Sequence, residues 1–217
     1  MFEIHTLLVA LVLTNFLLLG SSRLISTIRQ VAAQGILLGL LVVAEHGPWA
    51  SPWRVWVLAL GSTVVKAVVF PLLLRRALRE AGVLREQEPY VGFTASILFG
   101  VLLFGLALWL GVRLPLPERL ASPLLVPVAL FTMFVGLLLI VSRRTALSQV
   151  VGYLVLENGI FTFGLALTEE APLSVEIGIL LDIFVAVFVM GITIYNISRE
   201  FDHIDTDRLT ALKDVAE

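Results

Sequence analysis

The stretch LSQVVGYLVLENGIFTFGLAL, residues 147–167, decides the fold. It is long enough to cross a bilayer as a helix, which takes about 20 residues for a core of about 30 Å, yet it carries Glu157 at its middle. Lipid offers a free backbone amide no partner, and the run lacks the alternation of a barrel strand, so the segment is helical. Similar runs lie at about Ile4 to Ser22, Val31 to Ala44, Val55 to Leu74, Val91 to Leu110, Pro123 to Ser142 and Ile177 to Ile197. The sequence therefore predicts an all-α polytopic transmembrane helix bundle of about seven helices over residues 1–199, with a short cytoplasmic tail at 200–217. The second run is the shortest, and its helix is expected either to tilt little or to draw on Gln30 and Glu45 at its ends.

Composition supports a chain with almost no soluble domain. The 217 residues are 59% hydrophobic and 15% charged, with a mean hydropathy of +0.99, whereas soluble domains are near a quarter charged. The net charge of -2 belongs to loops and tail, and no basic run offers a nucleic-acid footprint, so no nucleic-acid partner is expected. Cysteine is absent, which excludes disulfides, thiolate nucleophiles and thiolate-held iron-sulfur or zinc sites. His5, His46 and His203 fall near helix ends or in the tail, so no pair is placed to hold a membrane haem. The start, Met1 to His5, has no basic region and no small-x-small site follows it cleanly, so the first helix is read as retained.

Arginines orient the bundle. Arg23, Arg29, Arg75, Arg76, Arg79, Arg85, Arg143, Arg144, Arg199, Arg208 and Lys213 fall in connections on one side, which is expected to be cytoplasmic. The opposite connections hold Arg54, Arg113 and Arg119 among Glu45, Glu118, Glu169 and Glu170, with Trp49 and Trp53 as interfacial anchors. The N-terminus is then outside and the C-terminus inside. Residues 29–37 and 148–156 look alike, through duplication or through chance among apolar segments. In the tail, Asp205, Thr206 and Asp207 offer a cap to a short amphipathic helix, and a solvated tail is the alternative. Asp202, Asp205 and Asp207 lack the spacing, glycine and terminal glutamate of a calcium loop.

Charge at membrane depth is costly, so each such group is a functional candidate. Lys66 lies in the third run, Glu157 in the sixth and Asp182 in the seventh. Helical rise places Glu157 about 18 Å from its cytoplasmic helix start and Asp182 about 25 Å from Arg199, both near the midplane. Burial and a neighbouring carboxylate raise a carboxyl pKa and a lysine lowers it, so such a group can hold or pass a proton. The alternative is a fixed ion pair that only holds helices together. Pro71 cannot donate to the carbonyl of Ala67, which predicts a kink or free carbonyl beside Lys66. Gly35-x-x-x-Gly39 reads as a packing seam. Candidate supporting groups are Tyr153, one turn before Glu157, adjacent Asn158, Glu176 at the outer end of the last helix, and Gln34.

These residues carry a resemblance. Gly152-Tyr153-Leu154-Val155-Leu156-Glu157-Asn158-Gly159, then Val175-Glu176-Ile177-Gly178-Ile179 with Asp182, and Leu209-Thr210-Ala211-Leu212-Lys213 resemble the E component of hydrogenase-4-type membrane-bound hydrogenases. Lys66-Ala67-Val68-Val69-Phe70-Pro71-Leu72 is similar to the lysine-and-proline helix of that family. From about Arg143 onward the chain also resembles the small K subunit of complex I and the C subunit of Mrp-type antiporters. In those proteins two membrane acidic residues belong to a hydrophilic axis for proton movement; Glu157 fits the first and Asp182 the second, as aspartate where the complex I subunit has glutamate.

The resemblance implies a non-redox subunit of the cell (inner) membrane, conducting protons or coupling electron transfer to ion translocation, with protons or sodium as the ion. Its partners would be larger antiporter-like membrane subunits, a peripheral redox arm and the lipid bilayer. A nickel-iron centre, iron-sulfur clusters, flavin or quinone would belong to those partners, with no cofactor, metal or catalytic centre in this chain. The alternatives are a subunit of an Mrp-type cation/proton antiporter and a structural spacer.

Overall fold

Lipid removes the hydrophobic drive between helices, so what assembles this chain is close packing around small residues and polar contacts. The computed structural model describes residues 2–46, 60–61, 63–81, 89–114 and 122–167, with position 56. Regular structure among them is helical: α1 (Phe2–Gly20), α2 (Leu24–His46), a π-helical turn (Val65–Val69) continuing into α3 (Phe70–Ala81), α4 (Phe93–Arg113), α5 (Leu125–Ser142) and α6 (Ala146–Leu167). Five of these, α1, α2, α4, α5 and α6, are long and apolar enough to cross a membrane. The expected seventh run, Ile177 to Ile197, and the tail lie outside the described residues, as does much of the first half of the third.

Two helices differ from the apolar runs that announced them. α2 starts at Leu24, well before Val31, because Ser26, Thr27 and Gln30 stay helical. Thr27 Oγ1 donates to the carbonyl of Leu24 and Gln30 Nε2 to Ser26 Oγ, so polar side chains bond within the helix. The third segment runs on past Leu74 to Ala81 as an amphipathic helix. Phe70, Leu74, Ala77 and Leu78 are buried, while Leu72, Arg75, Arg76 and Arg79 are exposed.

α5 and α6 form the centre, with 61% and 67% of their spanning residues buried, against 22% for α4. Glycines permit this. A Cβ at Gly136 would fall 2.6 Å from Leu156 Cα, one at Gly152 2.9 Å from Ile140 N, and one at Gly159 2.6 Å from Met133 N. The hairpin between them is closed by Arg143, Arg144 and Thr145; the Thr145 hydroxyl accepts from the Ser148 amide at 3.3 Å and caps α6. α4 lies outside, turning Ser96, Gly100, Ala107 and Gly111 inward and Leu102, Trp109 and Val112 outward.

One end of the bundle gathers the arginines. Arg143 is buried; its Nη2 donates to the Leu19 carbonyl at 2.8 Å, its Nη1 to the Val91 carbonyl at 3.4 Å, and its guanidinium lies 4.5 Å from the Phe93 ring centre. The Tyr90 amide donates to Ser142 O at 2.9 Å. The ends of α1 and α5 and the starts of α4 and α6 thus meet on one side, as the arginine pattern requires. At the other end Ser122 Oγ is 3.3 Å from His5 Nδ1.

The α5–α6 seam makes a direct prediction. Gly136→Ala should destabilise the protein by about 1–3 kcal/mol or more through overpacking, whereas Gly105→Ala, where an added Cβ meets nothing within 4 Å, should not. Thermal aggregation of the two variants in detergent measures the difference, and equal midpoints would refute a rigid seam.

Candidate functional site

Pro71 shapes the helix that carries the lysine. It has no N–H for the Ala67 carbonyl, and the turn before it widens into the π form over Val65–Val69, with the Phe70 amide bonding Val65 O. The expected disturbance beside Lys66 is therefore an expanded turn rather than a broken one, a feature frequent at functional sites. α2 closes on this turn through its Gly35-x-x-x-Gly39 seam. A Cβ at Gly35 would lie 2.9 Å from Lys66 Cβ, and one at Gly39 would collide with the Thr63 hydroxyl.

Lys66 is thereby turned inward, onto α6. Its Nζ lies 2.6 Å from Glu157 Oε1, and the two side chains are 4% and 1% exposed. Removing both charges from solvent costs several kcal/mol per ion, and the short contact between them offsets part of that cost. α6 surrounds the ammonium with three successive contacts. Besides Glu157, Asn158 Oδ1 accepts from Lys66 Nζ at 3.4 Å and the Phe161 ring centre is 4.9 Å away. Glu157 Oε2 is buried and accepts no hydrogen bond from any described residue.

From this pair a chain of amides and hydroxyls crosses the bundle. Asn158 Nδ2 donates to Gln34 Oε1 at 3.3 Å, and Gln34 Nε2 donates to Asn15 Oδ1 at 2.8 Å and Thr14 Oγ1 at 3.2 Å. Asn15 Nδ2 then donates to Thr132 Oγ1 at 2.8 Å, and Thr132 Oγ1 to the Val128 carbonyl at 2.8 Å. Asn15, Gln34, Thr132 and Asn158 are all buried. The connected line runs from α5 through α1 and α2 to α6 and the π turn.

The structure joins Lys66, Glu157, Asn158 and Gln34. Tyr153 is partly buried one turn before Glu157 and packs against the apolar core. Asp182 and Glu176 lie outside the described residues. Asn15 and Thr132 escape a sequence reading that searches apolar runs for charge. The signal is present in Asn15, the one carboxamide of α1. No cluster of three or more His, Cys, Asp or Glu side chains that could hold a metal occurs among the described residues.

A helical membrane bundle built around a buried lysine–glutamate pair is the class that fold and site define. Comparison with known proteins narrows it. Residues 124–214 match the family described as NADH-ubiquinone/plastoquinone oxidoreductase chain 4L, a range that takes in α5 as well as α6. Hydrogenase-4 component E of Escherichia coli K12 is 34% identical over 152 residues, 69% of this chain and 69% of its own. The Shigella flexneri protein of that name gives the same figures. Uncharacterized protein Rv0085 of Mycobacterium tuberculosis is 31% identical over 207 residues, 94% of this chain and 93% of its own. No solved structure matches. The chain belongs to the hydrogenase-4 component E family.

If Lys66 and Glu157 are mutually dependent, their substitutions will not add. Lys66→Met should cost about 3–5 kcal/mol by stranding a buried carboxylate, and adding Glu157→Gln should restore much of it. Thermal unfolding of the two single variants and the double variant reads this coupling. Strict additivity would mean that the pair is not formed.

Proposed function

We propose that this chain is a non-redox membrane subunit of a hydrogenase-4 or complex-I-like assembly in the cell (inner) membrane. In this reading it passes protons, coupling electron transfer in its partners to ion translocation. The observation that carries the proposal is the buried Lys66–Glu157 pair joined to the amide line of Asn158, Gln34 and Asn15. A fixed strut needs only the pair. A line of buried carboxamides and hydroxyls across α1, α2, α5 and α6 is instead a surface on which water can be ordered at membrane depth.

Glu157 is the proton-accepting group and Lys66 its counter-charge. Lys66 lies against the carboxylate as its counter-ion, and a proton arriving on Glu157 cancels that charge and loosens the ion pair. Asp182, at matching depth in the run Ile177 to Ile197, is proposed as the next carboxylate, with Glu176 beyond it toward the outside. Tyr153 supports Glu157 from the preceding turn. The neighbours in this proposal are larger antiporter-like membrane subunits and a peripheral redox arm, and any nickel-iron centre, iron-sulfur cluster, flavin or quinone resides in them. The tail 200–217 faces the cytoplasm.

The decisive variant is Glu157→Gln in the assembled complex, with proton movement followed by a pH-sensitive dye in sealed vesicles. Transport should fall by about tenfold or more, with Glu157→Asp retaining part of it and Asp182→Asn acting like Glu157→Gln. Assembly is checked by subunit content. Fully assembled Glu157→Gln and Asp182→Asn complexes that pump at the parental rate would make the carboxylates structural.

Orientation has its own test, helped by the absence of native cysteine. Ser142 and Arg143 are buried at that end and the neighbouring Arg144 is exposed, so Arg144 probes that side. Arg144→Cys should react with an impermeant thiol reagent from the cytoplasm and the exposed Arg113→Cys from outside. The reverse pattern would invert the topology.

A further inference from the structure

A small cleft of about 10 Å³, room for roughly one water molecule, opens at the arginine-rich end of the bundle. Its walls include Ser21, Thr27, Arg143 and Ser148, and Leu18, Leu139 and Val151 also line it. The four helices that line it, α1, α2, α5 and α6, are the same four that carry the amide line at membrane depth. The correspondence extends to helix faces. On α2, Thr27, Val31 and Gln34 follow at spacings of four and three residues; on α5, Leu139, Val135 and Thr132 do the same in reverse. On α6, Ser148, Val151, Val155 and Asn158 share one face, and on α1 Leu18 stands one turn from Asn15.

Each of these faces therefore passes from the cleft through apolar side chains to the polar line. The apolar layer is tight: Leu18, Val135 and Val155 are 0% exposed and Val31 3%, all within one packed cluster. Along α2 the distance from Thr27 to Gln34 is only about 10 Å. A polar opening and a polar centre aligned on the same faces of four helices, parted by one apolar layer, match a pore that is closed by dewetting.

We propose that this cleft is the aqueous port through which protons reach Glu157, and that Leu18, Val31, Val135 and Val155 form the gate that seals it. This rests on the proton-transfer reading of the site and adds its route. Carboxamides do not themselves carry a proton, so transfer occurs through water. When the helices part enough to wet the layer, Asn15, Gln34 and Asn158 order that water as far as the Lys66–Glu157 pair. Arg143, tied to Leu19 O and Val91 O, holds the mouth of the port between α1, α4 and α6.

The test uses the assembled complex in sealed membranes with single cysteines and a charged, impermeant methanethiosulfonate. Ser21→Cys, partly exposed in the cleft wall, should react, and the attached group should slow proton transfer by about tenfold. Arg144→Cys should react without effect on transfer, and Val155→Cys should stay unmodified at rest. Val155→Thr, which puts a hydroxyl in place of a methyl, should raise passive proton leak several-fold. A Ser21→Cys complex that refuses the reagent, or transfers protons normally once modified, overturns the port; unchanged leak in Val155→Thr overturns the gate. Glu157→Gln separates the two levels. If it abolishes transfer while modified Ser21→Cys still transfers, protons enter elsewhere and the role of Glu157 stands. If it pumps at the parental rate, the transfer reading falls and the port with it.

Discussion

Everything in this bundle is arranged around the cost of keeping an ammonium and a carboxylate away from water. The Lys66–Glu157 contact sits among side chains that are almost wholly buried, where an isolated charge is not tolerated. The pair therefore dictates that α6 and the π turn face each other at that depth. It also dictates that surrounding positions supply polar atoms, as Asn158 and Gln34 do. The apolar clusters on either side of this level then pack around a constraint they did not create.

Small residues make the constraint reachable. Gly35 and Gly39 let α2 lie against the turn that carries Lys66, and Gly136, Gly152 and Gly159 let α5 and α6 touch backbone to backbone. Where hydrophobic association is weak, this close approach is what brings short polar side chains into hydrogen-bonding range. The 2.8 Å contact between Asn15 and Thr132 depends on it, since neither side chain reaches far. Pro71 contributes differently, by removing one helical hydrogen bond and admitting an extra residue into the turn that holds the lysine. Packing seam and helix defect thus act together to place one side chain.

Membership of the hydrogenase-4 component E family and the match to chain 4L draw attention to different parts of the molecule. The chain 4L match begins at residue 124 and takes in α5 and α6, and so includes Glu157 but not its partner lysine. The π turn with Lys66, and the Gln34 and Asn15 contacts, come from the preceding half of the chain. The site spans both halves, and the polar line exists because α1 and α2 pack onto the α5–α6 hairpin.

The sequence by itself determined that the chain is helical and membrane-embedded, and that Lys66 and Glu157 stand out. Those properties arise from local physics: backbone amides must be satisfied within the segment, and a charge in an apolar run is costly wherever the run packs. The arginine pattern likewise marked the ends that meet at Arg143. Pairing was not legible, because a contact between positions 66 and 157 depends on which helices pack together and at what rotation. The partners of Asn15 and Thr132 were not legible for the same reason, since an uncharged polar residue in a membrane helix can bond its own backbone, as Thr162 does with Asn158 O. Only tertiary packing distinguishes a self-satisfied side chain from one that bridges helices, because that difference resides in the neighbour's position.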